Sequence, residues 1–138
     1  MPVVAAGWAF TPPNTGGVLA TNDGFIRNEG TVLVLFFSTD EPDKSPESVA
    51  IHRDRVLAAK AGCGGDQPDD TCVVTAGFIP TCTIAVNQKL WQFMTSFGES
   101  ADEVRWGDIT DIPAYDELVG TVLAATIAQT CEDVTPVG

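Results

Sequence analysis

The stretch Thr31-Val-Leu-Val-Leu-Phe-Phe37 is the strongest indication of the fold, because every position after its first is apolar. A strand with this composition is expected to be covered on both of its faces. We therefore place residues 31–37 at the centre of a β-sheet.

Two turn signals precede this strand. Asn22-Asp23-Gly24 and Asn28-Glu29-Gly30 each suit a three-residue hairpin loop that a glycine closes in the left-handed conformation. With the short apolar runs around them, they predict a meander of antiparallel strands over residues 18–37. The sequence thus predicts an α+β fold in which an antiparallel β-meander sheet packs against two to three helices.

The first helical signal follows this meander. Ser45-Pro46-Glu47 provides an N-cap, a proline for the first turn and an acid near the positive end of the helix dipole. A helix should run from Pro46 to Ala61, where Gly62 can end it. Arg53 and Arg55 lie on this helix with much of the chain's positive charge. They either form a solvated face or meet an acidic surface on a neighbouring copy.

Further strand and helix signals follow along the chain. Residues 72–76 and 81–86 have the apolar or alternating pattern of strands, which Gly77 and Pro80 interrupt. Residues 88–97 should form a short amphipathic helix, and residues 100–105 suit one further turn. The apolar side chains that recur at helical spacing in the first of these segments are Leu90, Phe93, Met94 and Phe97.

The last helix should run from about Pro113 to Thr130, with Asp111 as its cap, and it carries no charge from Leu118 onward. A helix that is apolar or small on nearly every side should be covered, partly by another subunit. Its expected core stripe is Leu118, Val119, Val122, Leu123 and Ile127. The small residues on its other side are Gly120, Thr121, Ala124 and Ala128.

The N-terminal residues 1–17 are expected to form an extended arm ahead of a single α+β domain over residues 18–138. Paired prolines and paired glycines in the arm disfavour both a helix and a central strand. The arm also displays Trp8 and Phe10, whose rings lose much free energy in water. The rings therefore either fold back onto the chain's own core or dock on a neighbouring subunit.

The charge balance argues against several partners. Seven Lys plus Arg against nineteen Asp plus Glu give a formal charge of −12, which repels nucleic acid and anionic lipid. The longest uncharged helical stretch, residues 118–130, falls short of the roughly 20 residues that span a bilayer. We therefore expect neither a nucleic-acid nor a membrane partner. Charged residues are only 19% of the chain, which predicts an uncharged surface patch suited to protein contacts.

The four cysteines are Cys63, Cys72, Cys82 and Cys131. They contain no C-x-x-C spacing and the chain has one histidine, so a Cys/His zinc site has little support. In an oxidising setting we predict that Cys63 pairs with Cys72 and that Cys82 and Cys131 form the remaining pair. In a reducing cytosol the thiols should stay free. The acidic loop 64–71 lacks the spacing of a calcium-binding loop.

The sequence predicts neither enzyme activity nor a cofactor. The sequence contains no glycine-rich phosphate loop, nucleophile elbow or H-E-x-x-H. His52-Arg53-Asp54 matches part of a kinase catalytic loop in its letters alone, and nothing in the sequence brings His52 to a cysteine. Acid pairs such as Asp69-Asp70 are explained by solvation or helix capping.

The sequence therefore predicts a non-enzymatic structural subunit of a large symmetric assembly. We expect a homo-oligomer that contacts copies of itself and other structural proteins in a virion, such as a bacteriophage capsid-decoration or tail component. The expected interface residues are Trp8, Phe10, Arg53, Arg55, Ala124 and Ala128. The alternative is a small disulfide-stapled extracellular binding or inhibitor domain. A small enzyme that uses a cysteine or an acid pair ranks third.

Overall fold

Strands and helices alternate along the part of the chain that the computed structural model describes, which is residues 31–60, 72–81, 88–97, 105–121 and 124. In chain order the elements are strand β1 (Leu33–Ser38), helix α1 (Val49–Ala59), strand β2 (Val73–Ile79), helix α2 (Lys89–Met94), a 3-10 turn (Thr95–Phe97), strand β3 (Arg105–Asp108) and a 3-10 turn (Ile112–Ala114). The last turn leads into a helix at residues 115–121. The predicted arm, residues 1–17, lies outside the described residues.

All three described strands are parallel, in the order β1-β2-β3. Leu33 pairs with Val73 at the start of the first ladder, and Ile79 pairs with Asp108 at the end of the second. The predicted antiparallel meander is therefore wrong. Parallel neighbours need a crossover connection, and α1 and α2 lie in the two crossovers. Within the described sheet the middle strand is β2, not the segment 31–37, and residues 18–30 are not described.

One face of the sheet packs against α1 and α2. Thr75 lies on this face and donates its hydroxyl hydrogen to the carbonyl oxygen of Met94 at 2.8 Å. Phe37 meets Phe93 edge to face, with ring centroids 6.0 Å apart. The buried members of this core are Phe37, Val56, Leu57, Val73, Ile79, Leu90, Phe93, Met94 and Phe97. The predicted apolar stripe of residues 88–97 is thus confirmed as core.

The helix at residues 115–121 packs against the opposite face of the sheet, over β2 and β3. Phe78 points to this face because it alternates with Gly77 and Ile79 along β2. Its ring stacks on Tyr115, and a methyl group of Leu118 lies close to Gly107. The described residues therefore form three layers, with helix on both faces of a parallel sheet, as the burial of β2 on both sides requires.

Helix α1 begins three residues later than the sequence predicts. Ser48 is its N-cap, and the Ser48 hydroxyl accepts a hydrogen bond from the Ile51 amide at 3.4 Å. Ser45 cannot cap the helix because its amide and hydroxyl both donate to the carboxylate of Asp43. The predicted start at Pro46 is therefore wrong.

Strand β2 continues through Gly77, where the sequence predicts a break. A Cβ atom at Gly77 would lie 2.3 Å from the carbonyl oxygen of Phe37 on the neighbouring strand. Glycine at this position therefore permits close approach of two backbones. Strand β3 is also unpredicted, because Arg105–Asp108 is short and contains two charged residues and a glycine.

The C-terminal helix is less buried than the predicted core stripe requires. Leu118 is half-buried, whereas Val119 is 41% exposed, so the expectation for Val119 is wrong. Side chains at 122, 123 and 127 lie outside the described set. No helix in the described ranges is both long and apolar enough to cross a membrane.

Candidate functional site

The most exposed apolar surface of the sheet lies on β1, on the face away from α1 and α2. Phe36 is 46% exposed and Val34 is 39% exposed, and both point to this face because side chains alternate along a strand. Phe36 meets the buried ring of Phe78 edge to face at a centroid distance of 5.8 Å. One side of Phe36 is therefore fixed by the core while the other faces solvent.

Val119 is a further exposed apolar side chain, on the helix that packs against this same side of the sheet. It follows Tyr115 by four residues, so both lie on the same side of the helix at residues 115–121. Tyr115 stacks on Phe78, which contacts Phe36. We call Val34, Phe36 and Val119 the apolar face. The sequence predicts that strand 31–37 is covered on both faces and therefore does not reveal this face.

Asp108 is the last residue of β3, and the pKa of its carboxyl group is markedly lowered. Its carboxylate accepts hydrogen bonds from the Thr81 hydroxyl, from the Thr110 amide at 2.9 Å and from the Thr110 hydroxyl at 2.8 Å. These donors, with Thr81 first, lower the pKa of Asp108 from 3.8 to about 2. An acid held ionised in this way is a poor proton donor or acceptor near neutral pH.

Ligands of open parallel sheets bind beyond the carboxyl ends of the strands. In this protein Thr39 and Glu41 follow β1 at that edge, but they form a local turn in which the Glu41 amide donates to the Thr39 hydroxyl at 3.2 Å. Within the described ranges no three His, Cys, Asp or Glu side chains group closely enough to hold a metal ion. The hydrogen bonds at this edge thus connect the strand ends and stabilise them.

Arg53 and Arg55, two predicted interface residues, both have partners within the chain. The Arg53 Nε atom donates to the carbonyl oxygen of Ser96 at 2.7 Å, and its guanidinium lies 5.8 Å from the centre of the Phe97 ring. Arg55 binds both carboxylate oxygens of Glu47, at 2.6 and 2.8 Å. These contacts join α1 to its neighbours, and an additional role at an interface stays a prediction.

His52 is fully buried beside this ion pair. Its Nε2 atom lies 3.7 Å from a carboxylate oxygen of Glu47, and its Nδ1 atom lies 3.4 Å from the Arg55 guanidinium. Burial is the main cause that lowers the pKa of His52, although the negative charge of Glu47 acts in the opposite direction. A fully buried imidazole has no access to a substrate, so this group is not a candidate base.

Cys72 is disulfide-bonded, and its partner lies outside the described residues. The predicted pairs, Cys63 with Cys72 and Cys82 with Cys131, therefore stay predictions. The acidic loop 64–71 lies outside the described residues as well.

The four other predicted interface residues are Trp8, Phe10, Ala124 and Ala128. Ala124 is exposed on the C-terminal helix. Trp8, Phe10 and Ala128 lie outside the described residues. Their part in an interface stays a prediction.

Comparison of this chain with protein-family models, with curated proteins and with solved structures finds no match.

Proposed function

We propose that this protein is a non-enzymatic structural subunit of a large symmetric assembly and that it contacts copies of itself through the apolar face. The observation that carries this proposal is the exposure of Phe36, at 46%, beside Val34, at 39%, on one side of β1. Full burial of such side chains contributes roughly 1.5–3 kcal/mol each, and about half of that gain is still available here.

The charge of the chain supports an apolar contact rather than an ionic one. A formal charge of −12 makes two copies repel each other at long range. Two basic side chains that could attract an acidic neighbour, Arg53 and Arg55, already bind groups within the chain. Apolar surface is therefore the source of association free energy that we propose.

The setting that we propose is a virion, with the protein as a capsid-decoration or tail component of a bacteriophage. The disulfide at Cys72 supports an oxidising final location, because disulfides persist where thiols are not continuously reduced. A particle that assembles in a cell and is then released reaches such a location. Other structural proteins of the particle would be its further partners.

A second candidate is a small disulfide-stapled extracellular binding or inhibitor domain, which the same disulfide favours. The two candidates differ in the size of the native species. An assembly subunit should form multimers of its own, whereas a binding domain should stay a discrete small species until it meets its partner.

The test is the mass of the purified full chain by sedimentation velocity, with Phe36→Ser compared against Ile51→Ser. Ile51 is 43% exposed on α1 and is therefore a matched control on a different face. We expect multimers for the unaltered chain and for Ile51→Ser and smaller species for Phe36→Ser, with circular dichroism showing that each variant is folded.

Two outcomes would contradict the proposal. A monomer at all concentrations would favour the binding domain. Multimers that both variants weaken equally would move the interface away from β1.

A further inference from the structure

His52 is the only histidine in the chain. It is fully buried on α1, between the carboxylate of Glu47 and the guanidinium of Arg55. Among the described residues its Nε2 atom has no hydrogen-bond partner, since Glu47 is 3.7 Å away. Its Nδ1 atom faces the Arg55 guanidinium at 3.4 Å. A guanidinium is a donor only, so Nδ1 fits this position as an acceptor, which is the neutral form of the ring.

Protonation of His52 would disturb this arrangement. The added proton comes from solvent and occupies Nδ1, which then places a donor against the donor of Arg55. The cationic ring would also compete with Arg55 for Glu47, which Arg55 now holds through two hydrogen bonds. The charged groups that act on the ring are Glu47 and Asp43, which favour its protonation, and Arg55 and Lys89, which oppose it.

The same groups fix the segment between β1 and α1, residues 39–48. Lys89, the first residue of α2, donates from Nζ to the carbonyl oxygens of Ser45 and Glu47, the latter at 2.9 Å. The buried carboxylate of Asp43 accepts the Ser45 amide at 2.7 Å. To pair with a charged ring, Glu47 would have to close the 3.7 Å gap to Nε2, which moves the residue whose carbonyl oxygen Lys89 holds. That movement would loosen the contact between residues 39–48 and α2.

We propose that His52 is a pH-sensitive switch. Its protonation displaces Arg55 from Glu47 and releases residues 39–48 from the start of α2. This segment follows the carboxyl end of β1 and carries exposed acidic residues. A mild fall in pH would thus change the surface at that edge of the sheet without unfolding the strands.

The direction of the pH dependence follows from the burial of the ring. The pKa of His52 is lowered from 6.5 in the closed form, mainly by burial. An open form with a solvated ring binds the proton more tightly than the closed form does, so the closed form loses stability as pH falls below 6.5. It keeps losing stability until the pH reaches the lowered pKa of the closed form.

The experiment is amide hydrogen exchange of the full chain, followed by NMR from about pH 7.5 down to about pH 5, above the range in which most Asp and Glu titrate. The Ser45 amide reports on residues 39–48, and the Ile109 amide, which donates to Ile79 at 3.3 Å, is the internal control. We expect the protection factor of Ser45 to fall about tenfold per pH unit below 6.5, with that of Ile109 unchanged.

A variant without a titrating ring separates His52 from the carboxylates. In His52→Phe the acid-dependent loss of protection at Ser45 should disappear. Because the chain has one histidine, its Hε1 ring resonance gives an independent measurement on the unaltered protein, even where the variant fails to fold. Protection of Ser45 that does not change while this resonance titrates would overturn the proposal. An acid step that persists in His52→Phe would overturn it equally.

Discussion

Phe78 and Tyr115 stack with ring centroids 3.7 Å apart and ring planes 24° apart. The Tyr115 hydroxyl also donates to the carbonyl oxygen of Ile109 at 2.7 Å. One side chain thus joins the helix at residues 115–121 both to the middle of the sheet and to the end of β3. The layer opposite α1 and α2 depends on this contact.

We predict different costs for two substitutions of Tyr115. Tyr115→Phe keeps the stacked ring and loses one hydrogen bond, so the free energy of unfolding should fall by about 1 kcal/mol. Tyr115→Ala also removes the ring from Phe78 and should cost about 2–4 kcal/mol. Urea unfolding followed by circular dichroism measures both, and an equal cost for the two variants would show that the stack adds nothing.

Two glycine substitutions should have opposite effects. Gly77→Ala would place a Cβ atom 2.3 Å from the Phe37 carbonyl oxygen, which forces β1 and β2 apart and should cost roughly 1–3 kcal/mol or more. Gly120→Ala is the control, because Gly120 lies on a helix with nothing within 4 Å of the added atom. It should stabilise by about 0.5–1 kcal/mol. A thermal unfolding midpoint that Gly77→Ala leaves unchanged or raises would contradict the close pairing of β1 with β2.

The sequence predicts the individual elements better than it predicts how they pair. The apolar run at residues 31–37 and the helical spacing of residues 88–97 both correspond to elements of the structure. Strands that alternate with helices favour a parallel sheet. The turn signals before residue 31 instead favour antiparallel hairpins, so the two signals conflict. Pairing depends on contacts between β1 and β2, whose partners are 40 residues apart in the chain, and such contacts have no local signature.

The features of the site could be predicted from the sequence only in part. The low share of charged residues predicts an uncharged surface patch, but the exposure of Phe36 depends on which side of β1 the helices cover. The lowered pKa of Asp108 depends on a hydrogen bond from Thr81. The parallel pairing of β2 with β3 brings these two residues together, and the sequence does not predict that pairing. His52 looks like one of several polar residues on a helix, and its burial follows from tertiary packing alone.

Asp108 should keep its charge to unusually low pH. Hydrogen bonds from Thr81 and Thr110 lower its pKa from 3.8 to about 2. Its contribution to stability is therefore present above pH 3.8 and is lost as the pH falls from there towards about 2. Thr110→Val removes a hydroxyl donor and should raise the pKa of Asp108, which carboxyl chemical shifts measured against pH would show. Thr95→Val, at a hydroxyl that donates to Trp91 instead, should leave this pKa unchanged.

The response of self-association to salt should distinguish the two kinds of interface that the chain could use. Copies that carry a formal charge of −12 repel each other, and salt shortens the range of this repulsion from about 8 Å at 0.15 M to about 3 Å at 1 M. Contact through Phe36 and Val34 should therefore strengthen as salt rises, because the apolar gain is not screened. Contact of Arg53 and Arg55 with an acidic neighbour should weaken instead, because salt screens attraction as well.

Sedimentation velocity of the full chain in sodium chloride at both concentrations measures the difference. Larger species at high salt, reduced by Phe36→Ser but not by Ile51→Ser, are the expected result, and dissociation at high salt would assign the interface to charged residues.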